Sequence, residues 1–475
     1  MAGPLRICKK NPRYFTDDSG EAIYLTGAHT WMAFQDAIVP DHLEESVIFD
    51  YEGYLDRMQA GGQNFLRLWC RESAIGMGAG RNMRSFTEPL PYRKVGEREN
   101  GYPVFDLTQF NEEYFTRLRQ RVIQAGERGI YVSIMLFEAW SVDSRPGYIF
   151  DSHPFYKENN INGIDGNPAP IACGALSGEN DKNPFVPTER ILVHTLDDPK
   201  ITALQKNYVK KVIETLNDLD NVMYEIANEA LRWSRYWQYE MIDFIHETEK
   251  MMEKRHPVWM SHLVPAQNES LMISRAEAVS PGVESTADSY CINPPAADGN
   301  KVILADTDHL GGIWGTSQWV WKSFLRGLNP IFMDDISGKL PEGSGEAGTQ
   351  ADSPVSMLFG RYQYGLPEDW EEPVRQALGR ASFWAKRIHL TDMTPAGWVS
   401  STGYCLADLG KEYLIYQPES GQFKVNLYGA DVTFGVEWYR IETDEIIEGR
   451  PFSCGMAIDF TPPCPGEVLL HLTRI

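Results

Sequence analysis

The chain is poor in the features that most quickly betray a function. Its 7 cysteines (Cys8, Cys70, Cys173, Cys291, Cys405, Cys454, Cys464) are odd in number and scattered over 475 residues. No two are spaced C-x-x-C, so neither a zinc ribbon nor a redox pair is indicated, and buried free thiols in a reduced compartment are expected. No run approaches the roughly 18 apolar residues of a membrane span. The opening M-A-G-P-L-R-I-C-K-K shows no apolar signal-peptide core, so a cytoplasmic location is expected. Basic residues are in deficit: 44 Lys and Arg against 66 Asp and Glu, a net charge of −22. That balance argues against nucleic acid and anionic membranes as partners. No G-x-S-x-G elbow, P-loop, dinucleotide fingerprint or H-E-x-x-H motif occurs, which leaves serine-hydrolase, nucleotide and zinc-peptidase chemistry without support. No cofactor is implied, and oligomeric state is left open.

What is present is apolar patterning with carboxylates at its edges. The hydrophobic share of 43% is ample for a large core, and 13 Trp and 22 Tyr offer flat apolar faces of the kind that fill cores or stack on sugars. The most telling stretch is Asn221 to Ala230, N-V-M-Y-E-I-A-N-E-A. It reads as a strand ending on Asn228-Glu229, followed at once by a helical pattern. A carboxylate at the carboxyl end of a strand that feeds a helix is where α/β barrels place their chemistry.

Seven further runs fit the same scheme. Strand one is expected at Ala22 to Thr26, after a hairpin turned by Asp17-Asp18-Ser19-Gly20. Strands two and three follow at Asn64 to Cys70 and Ile130 to Phe137. Strand four is Asn221 to Ala227, and strand five Pro257 to Leu263. Strands six to eight are expected at Thr286 to Ile292, Lys301 to Asp306 and Pro330 to Met333. Helices with apolar residues at three- and four-residue spacing lie between them, for example Phe110 to Glu127 and Ile201 to Leu219. Near-continuous apolar strands alternating with helices predict an α/β fold, a closed parallel (β/α)8 TIM barrel, in residues 1–394. The link between strands six and seven, N-P-P-A-A-D-G-N, is short for a helical crossover. Residues 71–109 and 141–200 read as long polar loops after strands two and three. Beyond about Pro395 the period changes to two. Runs such as E-Y-L-I-Y-Q and V-T-F-G-V-E-W-Y-R, separated by turn residues, predict a C-terminal antiparallel β-sandwich domain over 395–475.

Two carboxyl groups flanking a bond are what glycoside hydrolysis requires. Glu229 is one. The second is expected across the mouth in K-V-I-L-A-D-T-D-H-L, where Asp306 and Asp308 share a parity and would face the same way along an extended backbone. Asp306, nearer the strand, is favoured as nucleophile, with Asp308 and His309 lining the site. Arg67, charged inside an apolar strand, needs a partner and could hold a carboxylate ionised. His29, Trp31, Glu138, Trp140, Asn228, Tyr290 and Trp314 complete the expected carbohydrate-binding mouth, with Asn293, Trp233, Asp334 and Asp335 nearby. A divalent-metal site built from Asp306, Asp308, His309, Asp334 and Asp335 is a weaker reading, because the paired histidines usual in barrel metallohydrolases are missing, and no metal is expected.

Asn228-Glu229 with Arg67 resembles the clan A glycoside hydrolases, retaining (β/α)8 enzymes with a strand-four glutamate as acid/base and a strand-seven glutamate as nucleophile. More narrowly, R-Y-F-T-D-D-S-G-E-A-I-Y-L-T-G-A-H-T-W and V-I-L-A-D-T-D-H-L resemble a bacterial group of cellulase-like barrels. Its members carry a C-terminal β domain named for collagen binding, which Tyr404 to Leu472 resembles. The resemblance implies a glycosidase with Glu229 as acid/base and Asp306 as nucleophile, exo-acting on a polysaccharide or oligosaccharide side chain. Strand seven departs from the pattern in offering aspartate for glutamate. That departure keeps a rival alive: a carbohydrate- or matrix-binding barrel without catalysis.

Overall fold

The computed structural model describes residues 1–31, 33–38, 49–77, 84–142, 150–168, 191–284, 290–312, 314–334, 371–427 and 432–475. Eight parallel strands close into a barrel. In chain order they are Gly27–His29, Phe65–Leu68, Tyr131–Glu138, Val222–Asn228, Val258–Met260, Ala278–Val279, Val302–Asp306 and Asn329–Met333. Strands two, three, four, seven and eight lie where the apolar runs place them. Strand one begins later than expected, because Ile23 is drawn into a bridge with Phe15 and only Gly27–His29 joins the barrel.

Strand six is a correction. The barrel position is taken by the two residues Ala278–Val279, paired to Met260 and Ile303. Of the expected strand, 286–289 lie outside the described residues and 290–292 form a turn. A two-residue strand is too short to show any period. The misplacement also explains the connection that looked too short, since 22 residues (280–301) now separate strands six and seven.

The helices start where the sequence supplies caps. Asp50, Asn111, Asp198 and Thr316 each accept a backbone N–H of the helix they precede: Tyr51–Ala60, Glu112–Glu127, Pro199–Leu216 and Ser317–Leu325. Pro199 sits in the first turn, where its missing N–H costs nothing. Residues 71–109 are more ordered than their polarity suggests. Tyr92–Glu97 and Pro103–Phe110 pair antiparallel, and Ile75–Met77, Arg84–Glu88 and Asp36–Ile38 form a second small sheet. The outward residues Arg93, Lys94 and Glu97 make the hairpin look like a loop, while Tyr92, Phe105 and Leu107 join Phe150, Phe155 and Val193 in a local core.

The two ends of the barrel differ. At the amino ends, Leu5 and Phe15 seal a cluster with Phe65, Tyr131, Met223, Trp259, Val302 and Ile331. At the carboxyl ends the strands finish on His29, Glu138, Asn228 and Asp306. Four polar strand ends are therefore gathered at one mouth.

The C-terminal region is antiparallel. Its main sheet contains Cys405–Asp408, Glu412–Gln417, Val468–Arg474, Val432–Arg440 and Glu445–Glu448, with Phe423–Asn426 and Ala457–Phe460 as a second small layer. The period of two sorts the faces. Tyr413, Ile415, Leu470 and Leu472 pack into the inner layer. Leu414, Tyr416, Tyr439 and Leu469 join the barrel core beside Trp321 and Trp384. Trp384, on the helix Glu372–Arg387, meets Tyr439 edge-on at 5.4 Å. The sheet thus braces the outside of the barrel, away from the mouth.

Candidate functional site

Arg67 is the centre of the mouth, and it is 0% exposed. An isolated guanidinium there would be prohibitive, so its hydrogens are all claimed by acceptors. Nε and Nη2 make a bidentate pair with Glu225 at 2.7 and 2.7 Å. Nη1 reaches Asp308 at 2.8 Å and Asp306 at 3.3 Å, and Nη2 also donates to Asn228 Oδ1. The guanidinium lies against the faces of Trp69 and Trp259, 5.1 and 5.5 Å from their centroids. Glu225 is the partner that Arg67 requires, and the expected site omitted it. A signal was available, since Glu225 is the one charge inside the otherwise apolar part of N-V-M-Y-E-I-A-N-E-A.

Asp306 and Asp308 do converge on one cation, but not through an extended backbone. The chain turns helical at Thr307–Leu310, and the Asp306 carboxylate caps that turn by accepting the Asp308 N–H at 3.0 Å. Asp306 Oδ1 also faces His29 Nε2 at 3.0 Å and Oδ2 faces Arg67, with the side chain fully buried. Burial works against its charge, but His29 and Arg67 win and hold its pKa well below the usual range. Asp308 retains 7% side-chain exposure. Burial, then the charge of Glu229, push its carboxyl up to about 7 against the pull of Arg67. The charge count gives the same answer. Three carboxylates, Glu225, Asp306 and Asp308, surround one guanidinium, an excess of negative charge that favours a raised pKa for one of them.

Glu229 follows the end of strand four in a left-handed conformation, φ +44°, unusual for a residue with a Cβ. It does not cap the next helix: Leu231 and Ser234 precede the turn Arg232–Ser234 and the helix Arg235–Glu249. One carboxylate oxygen instead accepts the Trp140 indole N–H at 2.5 Å. Asn228 is oriented from two sides. His309 Nδ1 meets Ser280 Oγ at 2.7 Å and its Nε2 faces Asn228 Oδ1 at 3.3 Å, so the serine hydroxyl donates and His309 donates in turn to the amide oxygen. Burial and the nearby Arg67 keep that imidazole neutral. Among the described residues the Asn228 Nδ2 hydrogens have no partner.

Other expected site residues divide. His29 stacks on Trp69 at 5.8 Å, and Trp31 meets Trp69 edge-on at 6.5 Å, so both belong to the mouth. Glu138 is beside Asn228 in the strand register, but its carboxylate turns back onto Ser141. Tyr290 lies in the turn that replaces the end of the expected strand six, and its carbonyl accepts the Trp319 indole at 3.0 Å. Trp314 packs against Trp319 at 5.6 Å. Neither has a recorded contact to the Arg67 cluster. Asp334 is clamped by Arg375 rather than joined to the strand-seven aspartates. Asp335 lies outside the described residues.

One stability consequence is independent of any substrate. The raised Asp308 pKa means that, between about pH 4 and about pH 7, the folded state holds a proton that the unfolded state has released. Stability therefore falls as pH rises through that window. Asp308→Asn should raise the urea midpoint relative to wild type at pH 8 and leave it nearly unchanged at pH 4. A lower midpoint at pH 8 would contradict this placement of the proton.

Comparison with known proteins gives the fold a context. A family model described as a domain of unknown function (DUF6298) matches residues 84–279, under half of the chain. No curated protein matches the sequence. Among solved structures, a glycoside hydrolase family 5 protein from Bacteroides vulgatus ATCC 8482 aligns over 100% of this chain and 94% of its own, with 13% identity and a TM-score of 0.57. A protein named glycoside hydrolase aligns over 100% and 97%, with 11% identity and a TM-score of 0.55. At such identities the likeness is one of fold.

Proposed function

We propose that the chain is a glycoside hydrolase whose reacting carboxyls are Glu229 and Asp308. The observation that carries this reading is the placement of these two part-exposed acids just past the ends of strands four and seven, on either side of Arg67, which bonds Asp308 at 2.8 Å and Asn228, the neighbour of Glu229, through its other terminal nitrogen. Two such carboxyls have what the reaction needs: Glu229 to give a proton to the leaving oxygen, and Asp308, ionised as pH rises through about 7, as the charged group opposite. Glu229 is the acid/base by its place at the end of strand four. Asp306, the residue favoured from sequence, has both oxygens engaged and no exposure, so it is proposed as the group that orients Arg67 and Asp308. Retention is proposed with it, which requires the two carboxyls to lie about 5–5.5 Å apart rather than the about 6.5–9.5 Å of inversion. The small sheets that follow strands one and two give the mouth a wall, which favours exo action on an oligosaccharide or polysaccharide side chain.

The reading is tested with a panel of aryl α- and β-glycosides and plant polysaccharides. Turnover by the wild type, abolished in the Glu229→Gln/Asp308→Asn double variant, is expected, with the product anomer read by proton NMR giving the stereochemistry. Saccharide binding without turnover across the panel would replace this reading with that of a non-catalytic barrel. Unimpaired turnover by the double variant would move the site elsewhere.

A further inference from the structure

The segment between strands three and four contributes two buried histidines that take no part in the Arg67 cluster. His153 Nε2 and His194 Nε2 lie 3.5 and 3.1 Å from the two oxygens of Glu72, which follows strand two. Both rings are fixed. His153 Nδ1 accepts the Phe155 N–H at 3.0 Å, so its Nε2 carries the hydrogen and points a donor at Glu72. That arrangement suits a neutral imidazole donating to a carboxylate rather than a metal ligand. His194 stacks on Trp237 at 4.4 Å and holds a left-handed backbone, φ +60°, a conformation that persists only where surrounding contacts impose it.

From Glu72 the contacts run toward the mouth. Its Oε2 accepts the backbone N–H of Glu138 at 2.8 Å. Although burial opposes the charge, His194 and His153 hold the Glu72 carboxyl down to about 2. The Glu138 carboxylate caps the single turn Ala139–Ser141, accepting the Ser141 N–H at 3.2 Å and the Ser141 hydroxyl. Ser141 Oγ also receives the Ser73 N–H at 3.2 Å, tying the turn to the end of strand two. Trp140 sits in this turn, and its indole holds Glu229.

We infer that Glu72, Glu138, His153 and His194 are positioning residues: the segment bearing the histidines sets, through the capped turn and Trp140, the orientation of Glu229. This rests on the reading of Glu229 as acid/base. An inserted segment far along the chain thereby becomes part of what makes the carboxyl pair competent. The device is also sensitive to pH. Burial and the charge of Glu72 raise Glu138 to about 7, with Ser141 and Arg71 acting the other way. An ionised Glu138 accepts from both Ser141 donors, and a protonated one has less to offer them.

The test uses the full chain labelled with 5-fluorotryptophan. The Trp140 fluorine resonance is assigned by its loss in Trp140→Phe. Ser141→Ala, Glu138→Gln and His194→Gln should each move that resonance while the other tryptophan signals stay in place, except that of Trp237 in His194→Gln, which loses the ring stacked on it; the unmoved signals also confirm folding. Asp198→Asn, at the cap of the neighbouring helix, should not. On an aryl glycoside that the wild type hydrolyses, Glu138→Gln should lower kcat by about 10- to 100-fold with KM little changed, the effect of a misaimed reacting group. It should also remove an ionisation near pH 7 from the kcat profile. If Trp140 keeps its wild-type resonance in both Glu138→Gln and His194→Gln, the inference is wrong, whether or not the protein hydrolyses any glycoside. Absence of hydrolysis with the resonance shifts present would count against the glycosidase reading alone.

Discussion

Glu229→Gln is expected to lower kcat/KM on a phenyl glycoside by about 10²–10⁴, equivalent to about 3–5 kcal/mol of transition-state stabilisation. The substitution keeps size and shape. The glutamine carbonyl can still accept the Trp140 indole N–H that now holds Glu229 Oε2. What it loses is the proton that the leaving oxygen needs. The loss should depend on the leaving group: a dinitrophenolate departs without protonation, so the bond-breaking step should suffer far less with that aglycone than with phenol. Asp308→Asn should produce a loss of similar size that does not depend on the leaving group in this way, because its proposed role is at the anomeric carbon. Fold stability in Glu229→Gln should stay near wild type, since the side chain is only partly buried. Equal rates for wild type and Glu229→Gln on the phenyl substrate would end the assignment.

The second large effect is on stability. Arg67→Met should cost at least about 3–5 kcal/mol, the range expected when one member of a buried ionic cluster is removed. Methionine replaces much of the volume but none of the five donors. Glu225, Asp306 and Asp308 are then left together in a water-poor space, having lost contacts at 2.7, 3.3 and 2.8 Å. Their mutual repulsion raises their pKa values above those of the unfolded chain. The stability deficit should therefore deepen as pH rises from about 4 toward 8 and shrink as it falls. Adding Glu225→Gln to Arg67→Met should recover part of the loss by removing one of the uncompensated charges, a non-additivity expected of residues in direct contact. Urea denaturation at pH 5 and pH 8 measures both effects. A deficit below about 1 kcal/mol at pH 8 would mean the cluster is better hydrated than its burial indicates.

Much of this was written in local pattern. Near-continuous apolar runs identified most of the barrel strands, and apolar residues at three- and four-residue spacing identified helices such as Glu112–Glu127 and Pro199–Leu216. A period of two identified the C-terminal strands, whose alternate residues divide between the inner layer and the barrel. These signals survive in sequence because hydrogen bonding and burial within one element fix them. Strand six escaped because two residues carry no period. The hairpin Tyr92–Phe110 escaped because its outward face is charged.

The site was legible only in part, and for one reason. Sequence supplied the acids and their strand ends: Glu229 after strand four, the two aspartates around the end of strand seven, and an arginine in strand two that had to have a partner. Which acid meets which base is a fact about closure. Arg67 and Glu225 are 158 positions apart and meet because strands two and four both project into the same barrel. Glu72 and His194, likewise far apart in the chain, meet at 3.1 Å. Asp306 and Asp308 differ in surroundings because the backbone turned helical at Thr307, which let Asp306 cap the turn in full burial and left Asp308 part-exposed. The sequence by itself determined the barrel, its β-rich appendage and the inventory of charged groups, because those follow from neighbours along the chain. The tertiary structure alone decided which of those charges are paired, buried or left to hold a proton. Electrostatic energy depends on distance and burial in space, and neither is carried by position in the sequence.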